Sequence, residues 1–256
     1  MSSRHPDEPM EDEFDTLPIW TADAVEELGP EYAVPAGCRG SGTPEGLRWL
    51  SRSMGLLAGT RLLDSGAGEG GPAELAAREF GVSPVLVDPK HGACRAARRM
   101  FHRPTLVAGG ERLPFPGGAF DAAWSLGVLC TVSQKHAVLT ELRRVVPTGA
   151  SVGLLVFVRT VDTLPDQPEG NDFPDRVELG RLLRAARLHL TVEATLSDFS
   201  EPPSEWHEKV DEVDDLVRQR HADDERLMTA DHQQRIMGRL LDDGVVEGRL
   251  LVTRAF

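Results

Sequence analysis

The chain has 256 residues, of which 40% are hydrophobic, and this is enough to bury one substantial core. Its formal net charge of -13 repels phosphate backbones and anionic lipid, which argues against nucleic-acid and membrane partners and favours a small-molecule partner. No apolar run reaches the roughly 20 residues that span a bilayer, and the three widely spaced cysteines suit reduced thiols, so we expect a cytoplasmic protein without a metal site.

The first forty residues give few structural signals. Residues 1–17 are acidic and poor in apolar side chains, and we expect a mobile tail there because such a segment cannot repay the entropy that ordering costs. Thr21 is a candidate cap for a short helix that stops at Gly29, and residues 32–42 are expected to form a loop. Thr43, followed by Pro and Glu, predicts the start of a longer helix.

A glycine-rich turn follows the first predicted strand, in the stretch LLDSGAGEGGPA. Gly66, Gly68 and Gly71 have the spacing of the dinucleotide fingerprint. Asp64, Gly66, Gly68 and Gly70 have the spacing of the D-x-G-x-G-x-G turn that receives S-adenosylmethionine. Both motifs bring backbone amides close to a ligand at a helix N-terminus, so spacing alone leaves the two alternatives open.

Strands and helices alternate beyond this turn, which predicts a parallel sheet covered by helices on both faces. We expect one domain over residues 18–256, with its core in residues 59–200 and 244–256 and a helical insertion at about 201–243. The strands are expected at 61–64, 84–88, 122–126, 151–158, 190–196 and 248–256, and the intervening helices at 72–80, 92–101, 135–146 and 175–188.

Asp88 ends the second predicted strand, 22 positions after Gly66. An acidic side chain at this place can accept hydrogen bonds from both ribose hydroxyls of an adenosine. The alternative role is a cap for the next helix, although Pro89 lies in the approach to that helix. Ligands of open α/β sheets lie at the carboxyl ends of the strands, which favours the ribose role.

The stretch from Leu106 to Cys130, LVAGGERLPFPGGAFDAAWSLGVLC, resembles the class I S-adenosylmethionine-dependent methyltransferases, particularly the small-molecule branch with the quinone methyltransferases. In that family an apolar strand runs into Gly-Asp-Ala-Glu-x-Leu-Pro-Phe, and Phe-Asp opens the fourth strand. The later stretch ELRRVVPTGASVGLLVFV is similar to the family's approach to its fifth strand. The resemblance covers residues 61–158 in the family's order. It implies a Rossmann-like, doubly wound and mostly parallel seven-stranded sheet with a small helical insertion.

The resemblance also implies roles for the first cofactor residues. Gly66 and Gly68 would let the backbone pass under the methionine part of S-adenosylmethionine, and Asp64 would orient the turn or the methionine amino group. Asp88 would hold the ribose. Arg39, which is followed by glycine and serine just before the helix that starts at Thr43, could reach the methionine carboxylate, although a solvated arginine is the alternative.

The remaining cofactor residues follow the third and fourth strands. Gly110 and Glu111 would flank the adenine, and the backbone near Leu126 would meet the methionine amino group. The family's Asp that accepts from the adenine amino group is replaced here by Gly109, so that acceptor side chain is missing. We expect Glu111 to substitute for it.

The resulting hypothesis is methyl transfer from S-adenosylmethionine to a small-molecule acceptor whose reacting atom is unassigned. The fourth strand does not end in the Asn-Pro-Pro-Tyr pattern of base methyltransferases, which also argues against nucleic acid. His136 and His207 are candidates to face the acceptor, but surface or capping roles are favoured, and no catalytic residue is assigned. The alternatives are an NAD(P)-dependent oxidoreductase and a catalytically silent binding or scaffold protein. The sequence does not indicate an oligomeric state.

Overall fold

The computed structural model describes residues 8–256, with side chains described from Phe14 onward. The helices are, in chain order, α1 (Glu8–Leu28), α2 (Ala33–Gly37), α3 (Pro44–Met54), α4 (Gly71–Phe80), α5 (His91–Phe101), α6 (Lys135–Arg144), α7 (Arg176–Ala185), α8 (Ser204–His221) and α9 (Glu225–Asp242). The strands are β1 (Arg61–Ser65), β2 (Ser83–Asp88), β3 (Thr105–Val107), β4 (Ala122–Leu126), β5 (Ser151–Arg159), β6 (Leu188–Thr195) and β7 (Val246–Ala255). Short 3-10 helices lie at Pro30–Tyr32 and Leu196–Asp198.

The strands form one seven-stranded sheet in the order β3-β2-β1-β4-β5-β7-β6. The first five strands in this order are parallel, and β7 runs antiparallel to both of its neighbours. The strand order reverses between β1 and β4, which creates a crevice at the carboxyl ends of these strands. The doubly wound, mostly parallel seven-stranded sheet expected from the sequence is thus confirmed.

Helices cover both faces of the sheet. Leu62 and Trp124 belong to a hydrophobic cluster that packs against α1 to α5, α8 and α9, whereas Leu63 and Ala123 belong to a second cluster under α6 and α7. This alternation follows from the two-residue period of a strand, in which neighbouring side chains face opposite sides of the sheet. The apolar runs of β1 and β4 are therefore buried on both faces.

The expectations for the first forty residues need correction. Residues 1–7 lie outside the described part, but Glu8–Leu28 is one continuous helix, so the predicted tail boundary at Leu17 and the predicted helix start at Thr21 were wrong. Trp20 and Val25 on this helix are buried in the core, and that burial compensates for Pro18 in the helix interior. Residues 33–37, expected in a loop, form the buried helix α2.

Helices α8 and α9 lie between β6 and β7, in the segment for which the sequence predicted a helical insertion. Their buried side chains, among them Val213 and Ile236, join the hydrophobic cluster that also contains Trp20 of α1. The insertion is therefore packed against the N-terminal helices, on the α1 side of the sheet. Within residues 8–256, none of the helices combines the length and hydropathy that a bilayer crossing requires.

Candidate functional site

The glycine loop, residues 66–70, joins β1 to α4 at the crevice between β1 and β4. Its conformation is fixed by β2, since the backbone N–H groups of Gly66 and Ala67 both donate to the carbonyl of Val87, at 2.8 and 3.0 Å. Gly68 has a φ of 53°, and a Cβ atom built on it would meet open space. The loop thus leaves open space beside Gly68, and a ligand can approach the protein backbone closely there.

Gly71 has a different neighbour. A Cβ atom at Gly71 would collide with the backbone of Gly37, so this glycine permits close packing of α4 against α2. Gly70, with a φ of 84°, has the left-handed conformation that starts α4. Both glycines are needed by the fold, so the loop satisfies the two motif spacings equally and does not decide between them.

Asp88 links the end of β2 to the glycine loop. Its Oδ2 accepts a hydrogen bond from the N–H of Gly68 and its Oδ1 accepts one from the N–H of Lys90, each at 2.9 Å. Burial raises the pKa of Asp88, and the two backbone hydrogen bonds partly oppose that shift. Each carboxylate oxygen keeps a further lone pair, so the residue can brace the loop and still accept from two ribose hydroxyls.

Asp64, at the end of β1, is only 1% exposed. Within the described residues its Oδ2 has no hydrogen-bond partner, and the same holds for Nε1 of Trp124, its register partner on β4. Burial raises the pKa of Asp64 to about 7; the nearby Trp124 indole opposes the shift and the charge of Asp88 adds to it. A buried carboxyl with an open lone pair is costly unless a ligand supplies a donor, and an ammonium group fits this requirement.

Gly110 lies directly against the other face of β1. A Cβ atom at Gly110 would be 3.1 Å from Oγ of Ser65, and this hydroxyl is itself buried with no partner among residues 8–256. The carboxylate of Glu111 folds back over Gly109. The structure thus brings Gly110 to the end of β1 and the Glu111 carboxylate to Gly109.

A pair of side chains on α6 holds this segment in place. Glu141 accepts a hydrogen bond from the N–H of Leu113 at 2.7 Å, and Arg144 donates to the carbonyls of Leu113 and Phe115. Glu141 and Arg144 also form an ion pair at 2.6 Å. These contacts fix the backbone at Leu113 and Phe115 against α6. Sequence reasoning missed this positioning role of Glu141 and Arg144.

Leu126 is buried in the core, and the chain turns at the next residue. Gly127 has a φ of 76° and donates its N–H to the carbonyl of Leu155 at 2.9 Å. A Cβ atom at Gly127 would be 3.0 Å from the carbonyl oxygen of Gly40. The backbone at the end of β4 therefore faces the turn that contains Arg39 and Gly40.

Arg39 has a protein partner. Its guanidinium forms an ion pair with Asp214 of α8, and its side chain is 33% exposed. Glu69, in the glycine loop, is close enough for the charge of Arg39 to oppose the burial-driven rise of the Glu69 pKa. Neither Glu69 nor Asp214 was identified from the sequence, because nothing in the charged helix pattern of α8 distinguishes Asp214 from its neighbours.

The two candidate histidines lie at the surface. His136 and His207 are both exposed. Trp206, which precedes His207, is partly buried and packs against the core cluster. The described residues contain no group of three or more His, Cys, Asp or Glu side chains able to hold a metal ion.

A cleft of about 480 Å³ opens at the carboxyl end of β5. Its lining combines the charged Arg159 and Asp162 with the apolar Leu164 and Phe173. Asp172, which also lines the cleft, connects it to the chain after β4. The Asp172 carboxylate accepts a hydrogen bond from Nζ of Lys135 at 2.5 Å, and its N–H donates to the carbonyl of Cys130.

Comparison with known proteins decides the family. Residues 63–154, from β1 into β5, match the family model described as "Methyltransferase domain". The matched segment, residues 63–154, is a methyltransferase domain. The family expected from the sequence is thereby confirmed, and the matched residues include the glycine loop, Asp88, Gly110, Glu111 and Leu126.

Curated relatives of this methyltransferase domain share about a quarter to a third of its residues. The chain is 27% identical over 139 residues to a sterol 24-C-methyltransferase of Yarrowia lipolytica, an alignment that covers 52% of the chain and 36% of that relative. It is 32% identical over 110 residues to the ubiquinone/menaquinone biosynthesis C-methyltransferase UbiE of Cupriavidus necator, covering 40% of the chain and 45% of UbiE. The chain thus spans less than half the length of these relatives.

Solved structures share the fold of this methyltransferase domain. The [4+2]-cyclase SpnF superimposes with a TM-score of 0.68 at 21% identity, over 91% of this chain and 92% of SpnF. Phosphoethanolamine N-methyltransferase 2 of Haemonchus contortus, solved with S-adenosylhomocysteine, gives 0.67 at 16% identity, over 82% of this chain and 52% of that one. Geranyl diphosphate C-methyltransferase of Streptomyces coelicolor gives 0.58 at 19% identity, over 82% and 75%.

Proposed function

We propose that the protein binds S-adenosylmethionine and transfers its methyl group to a small-molecule acceptor. The observation that carries the proposal is the buried Asp64 carboxyl, whose open lone pair lies beside the glycine loop at the crevice of the sheet. Asp88 lies one strand further, with its carboxylate fixed toward the same loop. This arrangement supports a role for Asp64 toward the ammonium and for Asp88 toward the ribose of one ligand.

The residues of the crevice would divide the cofactor among them. Asp64 would accept from the methionine ammonium, Gly66 and Gly68 would pass under the methionine chain, and Asp88 would accept from the ribose. The turn after Leu126 would offer backbone groups to the methionine end. When bound, the cofactor supplies an electrophilic methyl group on its sulfonium.

The adenine would lie against the segment after β3. The N–H of Gly110 would face the ring, and the Glu111 carboxylate would accept from the exocyclic amino group in place of the missing side chain at Gly109. The Ser65 hydroxyl, buried against Gly110 without a partner in the described chain, gives this end of the site a further polar group.

Alignment of the acceptor, rather than a dedicated catalytic side chain, would account for the rate, because holding two reactants in line removes much of the entropic barrier. Neither His136 nor His207 is required by this proposal. The acceptor would enter under α8 and the segment Leu164–Phe173, both of which border the carboxyl ends of the strands. The acceptor atom is unassigned, since the relatives and neighbours include C- and N-methyltransferases.

The same proposal includes the expected partners and location. With a net charge of -13, the chain is unsuited to a nucleic-acid acceptor. Its three cysteines are free and buried, as suits the reducing cytoplasm that we propose as its location.

A second candidate is a protein that keeps the cofactor site but does not transfer the methyl group. The observation that favours it is the superposition with SpnF, a [4+2]-cyclase, over nine-tenths of both chains. Such a protein would bind S-adenosylhomocysteine as well as a methyltransferase does, while leaving labelled S-adenosylmethionine unconsumed in the presence of acceptors.

Calorimetric titration tests the proposal most directly. We expect S-adenosylmethionine and S-adenosylhomocysteine to bind in the micromolar range and NADH not to bind. Tighter binding of NADH than of either would replace the methyltransferase proposal with the oxidoreductase alternative. Incubation with methyl-labelled cofactor and a panel of small hydroxyl, amine and prenyl acceptors then separates the two candidates, because only the first moves label into an acceptor.

A further inference from the structure

Arg39 lies where four segments meet. It follows α2 in the turn whose Gly40 carbonyl faces Gly127 at the end of β4, and its guanidinium forms an ion pair with Asp214 on α8. The Asp214 side chain is only 12% exposed, so this pair is partly desolvated. A partly buried ion pair depends on its geometry more than a surface pair does.

A second carboxylate lies near the same cation. Glu69 belongs to the glycine loop and is 9% exposed. Burial raises its pKa, whereas the charge of Arg39 and a hydrogen bond from the hydroxyl of Thr21 on α1 oppose the rise, and the charge of Asp214 adds to it. The charge of Arg39 therefore favours the ionised form of Glu69, and the charge of Asp214 disfavours it.

Asp214 has a second cation nearby, but that cation is more distant than Arg39 and is shared with other carboxylates. Arg218 of α8 lies 3.9 Å from Asp214, but it is also 3.8 Å from Asp215 and 3.6 Å from Asp231. It is divided among three carboxylates of the insertion and does not reach the glycine loop. Without Arg39, the buried Glu69 and the partly buried Asp214 would lose this compensating cation, and separation of α8 from the loop would relieve the repulsion between them.

We propose that Arg39 is the shared counter-ion that fastens the insertion helix α8 to the glycine loop, so that ligand binding at the loop also closes the cover over the acceptor site. Arg39 is then a positioning residue that acts on the cover. This role differs from the contact with the methionine carboxylate expected from the sequence, because the guanidinium is already committed to Asp214. The proposal rests on the proposed function, since it identifies the loop as the cofactor-binding element.

The coupling follows from reciprocity between two linked equilibria. A ligand that holds the glycine loop in one conformation also holds Gly71 against the backbone of Gly37 in α2, and Arg39, which follows α2, in turn keeps Asp214 and α8 in place. By linkage, any ligand that stabilises the closed cover must bind more weakly once the cover is released. Ligand binding at the loop should therefore be visible as protection of α8, although α8 supplies no predicted cofactor residue.

Hydrogen exchange of residues 204–221, with and without S-adenosylhomocysteine, tests the coupling in the full chain. The test variant is Arg39→Met, which keeps a long unbranched stem and removes the guanidinium with its charge. The matched control is Arg220→Met. It removes a different ion pair of α8, the one with Glu27 of α1, and leaves the glycine loop untouched. Two further variants are Arg39→Lys and the double variant Arg39→Met with Asp214→Asn.

In the unmodified protein we expect the ligand to slow exchange of α8 about tenfold, which lies within the usual range of coupling between sites. Arg39→Met should speed exchange of α8 without ligand and abolish the response to ligand. Arg220→Met should speed exchange but keep the response. Asp214→Asn added to Arg39→Met should restore protection in part by removing the repulsion, and Arg39→Lys should keep part of the response.

A normal ligand response of α8 in Arg39→Met would overturn the proposal, and so would an unmodified protein that binds the ligand without protecting α8. If calorimetry shows no ligand binding at all, the proposed function fails instead. The ligand-free comparison of Arg39→Met with Arg220→Met then still tests the ionic link, which requires the faster exchange in Arg39→Met. Should Arg39→Met not fold, the double variant and Arg39→Lys give the same decision.

Discussion

The carboxylate of Glu111 lies over Gly109, in the space that a side chain at position 109 would occupy. The sequence departs from its family at Gly109, where an acidic acceptor for the adenine amino group is expected. The structure places an acceptor from two residues further along the chain in that space. The departure is therefore compatible with an exchange of one carboxylate for another.

We expect Gly109→Asp alone to leave the affinity for S-adenosylhomocysteine unchanged or lower, because the new carboxylate would collide with that of Glu111. Glu111→Ala should cost about 0.5 to 1.5 kcal/mol, the net value of one hydrogen bond, and should remove the preference for adenine over an inosine-type analogue. The double variant, Gly109→Asp with Glu111→Ala, should regain the preference for adenine over the inosine-type analogue. Calorimetry with both ligands measures all three, and tighter binding by Gly109→Asp alone would show that Glu111 does not accept from the adenine.

Asp64→Asn should stabilise the ligand-free protein at pH 8. Burial raises the pKa of Asp64 to about 7 from its usual value of 3.8, so its favourable contribution to the free energy of unfolding is complete below pH 3.8 and is lost as the pH rises through 7. One pKa unit corresponds to about 1.4 kcal/mol, which sets an upper limit of about 4 kcal/mol on the gain at pH 8. Urea unfolding at several pH values measures it, and the gain should shrink toward pH 5.

The control for this experiment is Asp121→Asn. Its carboxylate is exposed and paired with Arg61, which holds its pKa below the usual value, so its effect on stability has the opposite sign and stays small. Asp64→Asn should also weaken S-adenosylhomocysteine binding, whereas Asp121→Asn should not. Equal ligand affinity of Asp64→Asn and the unmodified protein would remove Asp64 from the cofactor site.

Asp88→Ala should weaken cofactor binding by about 1 to 3 kcal/mol, the range for hydrogen bonds to a charged acceptor. It should also lower stability, because the N–H groups of Gly68 and Lys90 lose their acceptor. Asp175→Ala is the matched control, since Asp175 caps α7 by accepting from the N–H of Glu178 and pairs with Arg159 rather than with the glycine loop. Both variants should lose stability, but only Asp88→Ala should lose affinity; an unchanged dissociation constant would leave Asp88 with the bracing role alone.

Two alanine substitutions in neighbouring glycines should separate binding from folding. Gly71→Ala would force a Cβ atom into the backbone of Gly37 and should cost about 3 kcal/mol of stability. Gly68→Ala meets open space and should cost only about 1 kcal/mol, from its left-handed backbone. Because that open space is the proposed path of the methionine chain, Gly68→Ala should nevertheless weaken S-adenosylhomocysteine binding. The opposite ranking of stabilities in thermal unfolding would contradict this assignment.

Most of the sheet could be predicted because its strands are short, apolar and bounded by turn residues. The strand ends at Asp64 and Asp88 were found from the residues alone, since a buried run that stops at a carboxylate identifies a carboxyl edge. The helices α1 and α2 could not be predicted in the same way. Their formation depends on burial of Trp20 and Val34 against distant segments, which acts against an acidic sequence and a proline.

The candidate site shows the same difference between features that follow from local sequence and features that depend on distant segments. Local spacing in the sequence indicates the glycine loop and Asp88. Asp214, the ion-pair partner of Arg39, lies 175 residues away in sequence on α8. Gly71 also illustrates the limit, because its neighbour Gly37 lies in a segment that looked like a loop. Interactions between segments far apart in sequence leave no periodic pattern in a single chain.

The position of β7 in the sheet bears on how the chain reaches its native state. This strand lies between β5 and β6, although it follows both in sequence, and Ser151 pairs with Arg254. During synthesis, β6 has no neighbouring strand until residues 246–255 have left the ribosome. The half of the sheet with the glycine loop can assemble first, and the other half must stay incomplete, with an open strand edge, until β7 has been synthesised.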